Sequence, residues 1–259
     1  MYDKTSKDDT IAYLMIRFGE NIGIVGIPQL DGHGNPTTLS EATLRRRAEQ
    51  KSAFMDSVQR DFYVGKLGVT RFPGRDPYPA DDPEDVPWRM GLILAAGHVQ
   101  RTGLQYFGAF ELTKSGQISQ RTTAMLGIIV LGKPRDEQTK KPLLCTPGNH
   151  TATEILEWDV QPRLEGKTNN QDRYQGLGGA LLRAAMPFIH PADEVIADVM
   201  EPNTDAFTSY ERYGFTLDTT IPPIEPDEDS IFDARQIRVH IPGIVLQERL
   251  ARTPRLWQG

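Results

Sequence analysis

At 259 residues, with 38% hydrophobic and 25% charged side chains, the chain has the make-up of an ordinary soluble globular protein. A formal net charge of −6 argues against a nucleic-acid partner held through phosphate contacts, and no apolar run approaches the roughly 18 residues that a membrane helix needs. One cysteine, Cys145, excludes an intrachain disulfide, and the five histidines, His33, His98, His150, His190 and His240, never fall at metal-ligand spacing.

The start, Met1-Tyr2-Asp3-Lys4, carries no basic segment followed by an apolar one, so a cytoplasmic protein is expected. Residues 1–9 are polar and predicted to be loosely attached. Between 10 and 27 two patterns compete. Ile11, Leu14, Met15 and Phe18 have helical spacing, with Asp9 as a cap and Gly19 as a stop, whereas 22–27 reads as a strand. After a loop at 30–37, a long helix is predicted from about 40 to 63. Its apolar stripe is Leu44, Ala48, Met55, Val58 and Phe62. Arg45, Arg46, Arg47, Glu49 and Gln50 occupy the other face and are expected to be solvated.

Residues 70–87 read as a long loop with an acidic cluster at Asp81, Asp82, Glu84 and Asp85. A second helix is predicted over 87–100, with Pro87 in its first turn. Strands at 104–112 and 124–131 pair across a polar turn at Lys114-Ser115-Gly116. The second contains Gly127 to Gly132 followed by Lys133, a near miss of a nucleotide-binding loop. Pro134 stands where that loop needs a hydroxyl residue, and Ile128-Ile129-Val130-Leu131 reads as a buried strand. Asn149-His150-Thr151 has the form of a glycosylation sequon and is read as coincidence. Further strands are predicted at 153–160, 194–200 and 236–241, an acidic loop at 221–229, and a short helix at 244–251. No internal repeat divides the chain, so residues 1–259 are expected to form a single domain.

Between the strands at 153–160 and 194–200 lies Arg173-Tyr174-Gln175-Gly176-Leu177-Gly178-Gly179. A helical pattern follows at once, with Leu177, Leu181, Leu182 and Ala185 on one face. A glycine-rich turn feeding a helix N-terminus presents unsatisfied N–H groups and a favourable dipole to an anion. Glycines at 176 and 178 allow a phosphate to approach the main chain closely. The dinucleotide fingerprint fails because Leu181 occupies the position of its third glycine. The pattern that does fit is Arg/Gln-x-x-Gly-x-Gly/Ala, met by Arg173, Gly176 and Gly178. Farther on, Asn203, Ala206, Tyr210, Gly214 and Phe215 fit Asn-x-x-Ala-x-x-x-Tyr-x-x-x-Gly-Phe.

These two elements in this order resemble the GNAT family of N-acetyltransferases. The resemblance spans about 104–242 and is most specific over 154–215. It implies an α/β fold of the acyl-CoA N-acyltransferase type, a central mixed, mostly antiparallel sheet flanked by helices. The core would run over about 104–242 and an N-terminal helical portion over about 10–103. It also implies transfer of an acetyl group from acetyl-CoA, as co-substrate, to a primary amine, with no metal, no nucleic acid and no membrane as partner, and with a homodimer compatible. The rival reading is an inactive module of the same fold that binds CoA or a protein.

The resemblance places the pyrophosphate at Arg173, Tyr174, Gln175, Gly176, Leu177, Gly178 and Gly179. The thioester carbonyl would meet main-chain N–H groups near Trp158 and Val160, and the pantetheine arm would meet Asn203 and Ala206. Tyr210 matches the tyrosine that faces the CoA sulfur, and a phenol protonated at neutral pH can donate to a departing thiolate. Glu154 is the candidate base, expected to share a strand face with Leu156, Trp158 and Val160. Glu157 and Asp159 are alternatives should the register differ, and water with backbone is another. In the family, phosphate loop and preceding strand are nearly adjacent, so 163–172 is an insertion, predicted to be a surface loop.

Overall fold

The computed structural model describes residues 2–3, 7–8, 11–12, 15–27, 41–58, 105–132, 144–145, 150–160, 176–226 and 234–252. The chain opens with short strands β1 (Tyr2–Asp3), β2 (Lys7–Asp8) and β3 (Ile11–Ala12), followed by β4 (Met15–Phe18) and β5 (Ile22–Ile27). Helix α1 (Glu41–Ser57) leads to β6 (Gln105–Glu111), β7 (Met125–Gly132), β8 (Leu144–Cys145) and β9 (His150–Val160). Then come α2 (Leu177–Ala185), β10 (Glu194–Met200), α3 (Thr204–Arg212), β11 (Thr216–Leu217), β12 (Gln236–Pro242) and α4 (Gly243–Arg252). No helix among the described residues is long and apolar enough to cross a membrane.

One mixed sheet dominates, in the order β1-β4-β5-β6-β7-β9-β10-β12-β11, with β8 added to β9. Every neighbouring pair is antiparallel except β9 and β10, which run parallel. A parallel pair needs a crossover, and the segment containing α2 makes it. Strand β7 lies at the centre and is buried at all eight positions, because helices cover both of its faces. The residues that looked faintly like a nucleotide-binding loop are therefore core.

The first face of the sheet packs under α2, α3 and α4. Leu181 and Leu182 of α2, Tyr210 of α3 and Leu246 of α4 share one apolar cluster with Val195 and Val239 of the sheet. The face of α2 predicted from Leu177, Leu181, Leu182 and Ala185 is buried throughout. Gly127 lets α2 lie close to β7, since a Cβ there would come within 2.9 Å of Leu181 Cδ1.

The second face carries α1, whose buried side is polar as well as apolar. Arg47, Gln50 and Lys51 are buried alongside Phe54 and Val58. Gln50 donates from Nε2 to the carbonyls of Ser119 and Arg121, both at 2.8 Å. Arg47 donates to Gln50 Oε1 at 2.8 Å and holds its guanidinium 4.8 Å above the Phe110 ring. Lys51 Nζ lies 3.5 Å from Glu157 Oε2. The expected solvated face is thus corrected at Arg47 and Gln50, where buried backbone carbonyls and an aromatic ring supply the partners that water would. Arg46 keeps to the partly exposed side, 3.4 Å from Glu49.

Other expectations change near the N-terminus. The helical spacing over 11–18 yields to strands, and the expected N-terminal helical portion contributes β4 and β5 to the main sheet. Gly19, at φ 60°, turns the chain back so that Met15 pairs with Val25 and Phe18 with Ile22. Residues 2–3 are tied to β4, and Lys7–Asp8 pair with Ile11–Ala12. Strand β9 begins three residues early because β8 pairs with its start, Cys145 opposite His150. The predicted helix at 87–100, the acidic cluster at 81–85 and the insertion at 163–172 lie outside the described residues.

Candidate active site

Strands β9 and β10 pair over only three rungs, Ala152 with Glu194, Thr153 with Val195 and Glu154 with Ile196. Beyond them β9 continues to Val160 against β7 alone, and β10 continues to Met200 against β12 alone. The sheet therefore opens into a V between Ile155–Val160 and Ala197–Met200. Alternate N–H and C=O groups of each strand point into this opening with no strand to meet them.

A β-bulge lies on the β9 arm of the V. Val130 pairs with Glu157 and Leu131 with Ile155, so Leu156 is an extra residue, 47% exposed. The bulge reverses which residues face which way. Ile155 belongs to the apolar cluster beneath α2, and Trp158 and Val160 pack against that same cluster. Glu154 aligns with Ile196 and so shares the opposite face with Asp198. Glu154 does not share a face with Trp158 and Val160, as strict alternation predicted; it shares one with Glu157 and Asp159.

Helix α2 starts beside the splayed arm of β9, where Trp158 meets Gly178. Its N-cap is Gly176 at φ 87°, a left-handed conformation that favours glycine, and no side chain caps the helix. Ala180 N–H is the first to bond back, to Gly176 O at 2.9 Å. The N–H groups of Leu177, Gly178 and Gly179 have no intrahelical acceptor, and the first turn holds no acidic residue. Leu177 is buried, so only its main chain can meet a ligand. Gly178 is an ordinary helical residue; a Cβ there would touch Trp158 Nε1 at 3.5 Å, a normal contact. Gly179 is different: a Cβ would collide with the Tyr213 hydroxyl. Arg173, Tyr174 and Gln175 lie outside the described residues.

Helix α3 supplies the other wall. Asn203 caps it, its Oδ1 accepting from Ala206 N–H at 3.0 Å, which leaves the amide NH2 to donate elsewhere. Trp158 sits between the two helices. Its indole N–H donates to Gly178 O at 2.9 Å, and its ring lies 5.1 Å from Tyr210 and 5.5 Å from Tyr213. Tyr210 also meets Phe215 edge-on at 4.9 Å.

These groups enclose a cleft of about 130 Å³, lined by Val58, Trp158, Asp159, Val160, Gly178, Asn203, Asp205, Ala206, Ser209 and Tyr210. The structure thus brings together Trp158, Val160, Gly178, Asn203, Ala206 and Tyr210 from the sequence expectation. Three lining residues, Val58, Asp205 and Ser209, were not anticipated as part of a site, and Asp159 was expected only as an alternative base should the register differ.

Tyr210 is 7% exposed, and no described residue takes a hydrogen bond from its hydroxyl. Burial, and then the charges of Asp159 and Asp198, push its pKa well above the ordinary phenol value. It holds its proton across the whole working pH range. Glu154 is half-buried away from the cleft lining. Its pKa is raised by burial and by Asp198, and lowered in part by Arg238. Asp198 and Arg238 form a two-pronged pair, Nε to Oδ1 and Nη2 to Oδ2 both at 2.8 Å. Among the described residues no group of three or more His, Cys, Asp or Glu side chains is placed to hold a metal ion.

No protein-family model matches the chain, and no curated protein matches it in sequence. Solved structures do match. Mycobacterium smegmatis RimJ in complex with CoA-disulfide aligns at a TM-score of 0.50 and 15% identity, over 90% of this chain and 90% of that one. A putative GnaT-family acetyltransferase from Bordetella pertussis aligns at 0.44 and 17%, over 87% of this chain and 98% of its own. Arabidopsis thaliana NAA60 in complex with a bisubstrate analogue aligns at 0.43 and 14%, over 75% and 92%. The fold is that of the GNAT-type acyl-CoA N-acyltransferases, a mixed and mostly antiparallel sheet flanked by helices.

Proposed function

We propose that this chain transfers the acetyl group of acetyl-CoA to a primary amine, by direct attack of the amine on the thioester in a ternary complex. One observation carries the reading. The open N-terminus of α2, the splayed end of β9 and the buried phenol of Tyr210 converge on a single cleft. Fold alone does not establish activity, so the reading rests on that constellation.

The pyrophosphate of acetyl-CoA belongs at the N–H groups of Leu177, Gly178 and Gly179, where the helix dipole favours negative charge. Arg173, Tyr174 and Gln175 precede this turn in the chain and would complete it. Gly178 lines the cleft itself, and its missing side chain leaves room for the ligand. Main-chain N–H groups near Trp158 and Val160 would polarise the thioester carbonyl as negative charge develops on it. Asn203 would offer its amide NH2 to the pantetheine arm, with Ala206 beside it.

Tyr210 would donate to the sulfur as the thiolate departs. Two carboxylates on the α1 face can be asked to deprotonate the amine: Glu154, for its raised pKa, and Asp159, for its place on the cleft wall. A covalent acetyl-enzyme has no support. Cys145 pairs with His150 at the start of β9, about 30 Å of strand from Val160.

The test is to mix purified protein, acetyl-CoA and a panel of primary amines and to follow free thiol. Amine-dependent release of CoA and an acetylated product are expected. Binding of acetyl-CoA with no transfer to any amine would favour an inactive CoA-binding module.

A further inference from the structure

We propose that Asp159 is the residue that takes the proton from the acceptor ammonium, acting across the V from Tyr210. This inference rests on the acetyl-transfer reading and names its base. A general base must come within about 3 Å of the proton it removes, directly or through one water. Asp159 lines the cleft that also exposes Tyr210 and Trp158. Glu154 does not. It lies five residues back along β9, about 15 Å at the rise of a strand, beside the Asp198–Arg238 pair.

The bulge at Leu156 gives Asp159 its direction. Trp158 and Val160 turn toward α2, whose N-terminus suits the pyrophosphate. Asp159 turns with Glu157 toward the face that α1 covers, and Val58 at the end of α1 forms part of the same cleft. The two substrates would thus approach from opposite faces of the sheet. Tyr210 supplies the independent observation. It is 93% buried by its 7% exposure, has no described partner for its hydroxyl, and stands close enough for Asp159 to oppose its ionisation.

R–NH3+ gives one proton to the Asp159 carboxylate, and the freed lone pair forms a C–N bond to the thioester carbon. The C–S bond then breaks. The thiolate takes the phenol proton of Tyr210, and the second proton lost by the new amide nitrogen restores the phenol. Asp159 releases its proton to solvent. Once Asp159 is protonated, its charge no longer opposes loss of the Tyr210 proton, so the acid strengthens when the leaving group needs it. Among the described residues, the other charged groups around the cleft are Asp205 of α3, Asp198 of β10 with Arg238 of β12, and Glu157 of β9 with Lys51 of α1.

The experiment compares Asp159→Asn and Glu154→Gln on two kinds of primary amine at one pH. Alkyl amines, with an ammonium pKa near about 10, need deprotonation; hydrazides, already neutral at the assay pH, do not. Asp159→Asn should lower kcat/KM about a hundredfold or more for alkyl amines and much less for hydrazides, with acetyl-CoA affinity unchanged in a titration. In Asp159→Ala, added formate should restore the alkyl-amine reaction alone, which also serves if the asparagine variant fails to fold. Equal losses on both amines, or no rescue, would overturn the proposal. So would a loss that depends on amine basicity in Glu154→Gln rather than in Asp159→Asn. A wild-type protein that transfers no acetyl group at all would instead overturn the underlying reading.

Discussion

Trp158 donates its indole N–H to the carbonyl oxygen of Gly178 at 2.9 Å, and so ties the splayed end of β9 to the first turn of α2. The same ring leans on Tyr210 at 5.1 Å. One side chain thus fixes the spacing between the phosphate-binding turn and the phenol. Trp158→Phe keeps most of the ring contact and removes the hydrogen bond. It should cost about 1 kcal/mol of stability, and acetyl-CoA affinity should fall several-fold because the turn loses its anchor. Thermal melts and a titration check both parts; unchanged affinity would show that Trp158 only packs.

The two glycines of the turn have separable jobs. A Cβ at Gly178 meets Trp158 at an ordinary 3.5 Å, so Gly178→Ala should fold with a melting temperature close to that of the parent. The expected damage is to acetyl-CoA binding, about tenfold, because the new methyl occupies a wall of the cleft. Backbone strain does not enter, since Gly178 is helical; among the described glycines of the turn only Gly176 has a positive φ. An alanine variant that binds acetyl-CoA normally would remove Gly178 from the binding turn.

Gly179 serves packing. Its Cα lies under the Tyr213 hydroxyl, and Gly179→Ala must push that ring aside at a cost of about 1–3 kcal/mol. Tyr213→Phe removes the obstructing oxygen. The double variant should recover much of the loss, which a double-mutant cycle of melting free energies measures. Additive losses would mean that the two residues do not meet.

The sequence made the helix mouth, Tyr210 and the strand order legible because each is encoded locally. A glycine at 176 is needed where φ is positive, Asn203 is a helix cap, and the all-apolar run of β7 is what a strand buried on both faces looks like. What stayed hidden depends on partners far along the chain. The side on which Glu154 and Asp159 lie is set by a bulge whose register belongs to β7, and Leu156, Trp158 and Val160 mimic unbroken alternation. Gln50 is buried only because the carbonyls of Ser119 and Arg121, 69 and 71 residues away, accept from it. Met15 and Phe18 keep helical spacing, yet pairing with β5 overrides it.

Glu154 gives a stability prediction with a definite sign. Its folded pKa is raised above the ordinary glutamate value, chiefly by burial, so the folded state holds this proton more tightly than the unfolded chain. Its contribution to stability is complete below about pH 4.5 and is lost as pH rises through the raised value. Glu154→Gln removes the ionisation. The variant should match the parent near pH 4 and melt higher at pH 7. A variant that melts lower at pH 7 than at pH 4, relative to the parent, would reverse the sign and point to the attraction of Arg238 as the larger influence.

Tyr210→Phe isolates the phenol proton. The ring contacts with Trp158 at 5.1 Å and Phe215 at 4.9 Å survive the change, so folding and acetyl-CoA affinity should move little. The rate at saturating substrates should fall by roughly tenfold to a thousandfold, because an interaction made only as the C–S bond breaks is lost. Burial, Asp159 and Asp198 all raise the pKa of this phenol above the ordinary phenol value, so the parent enzyme should show no alkaline fall in kcat from Tyr210 up to about pH 10. The two variants at Tyr210 and Asp159 should also differ in kind. Loss of the phenol should slow alkyl amines and hydrazides alike, since both expel the same thiolate, whereas loss of Asp159 should slow the basic amines far more than the hydrazides. A phenylalanine variant that turns over at the parent rate would leave Tyr210 as the core residue that joins α3 to Trp158 and nothing more.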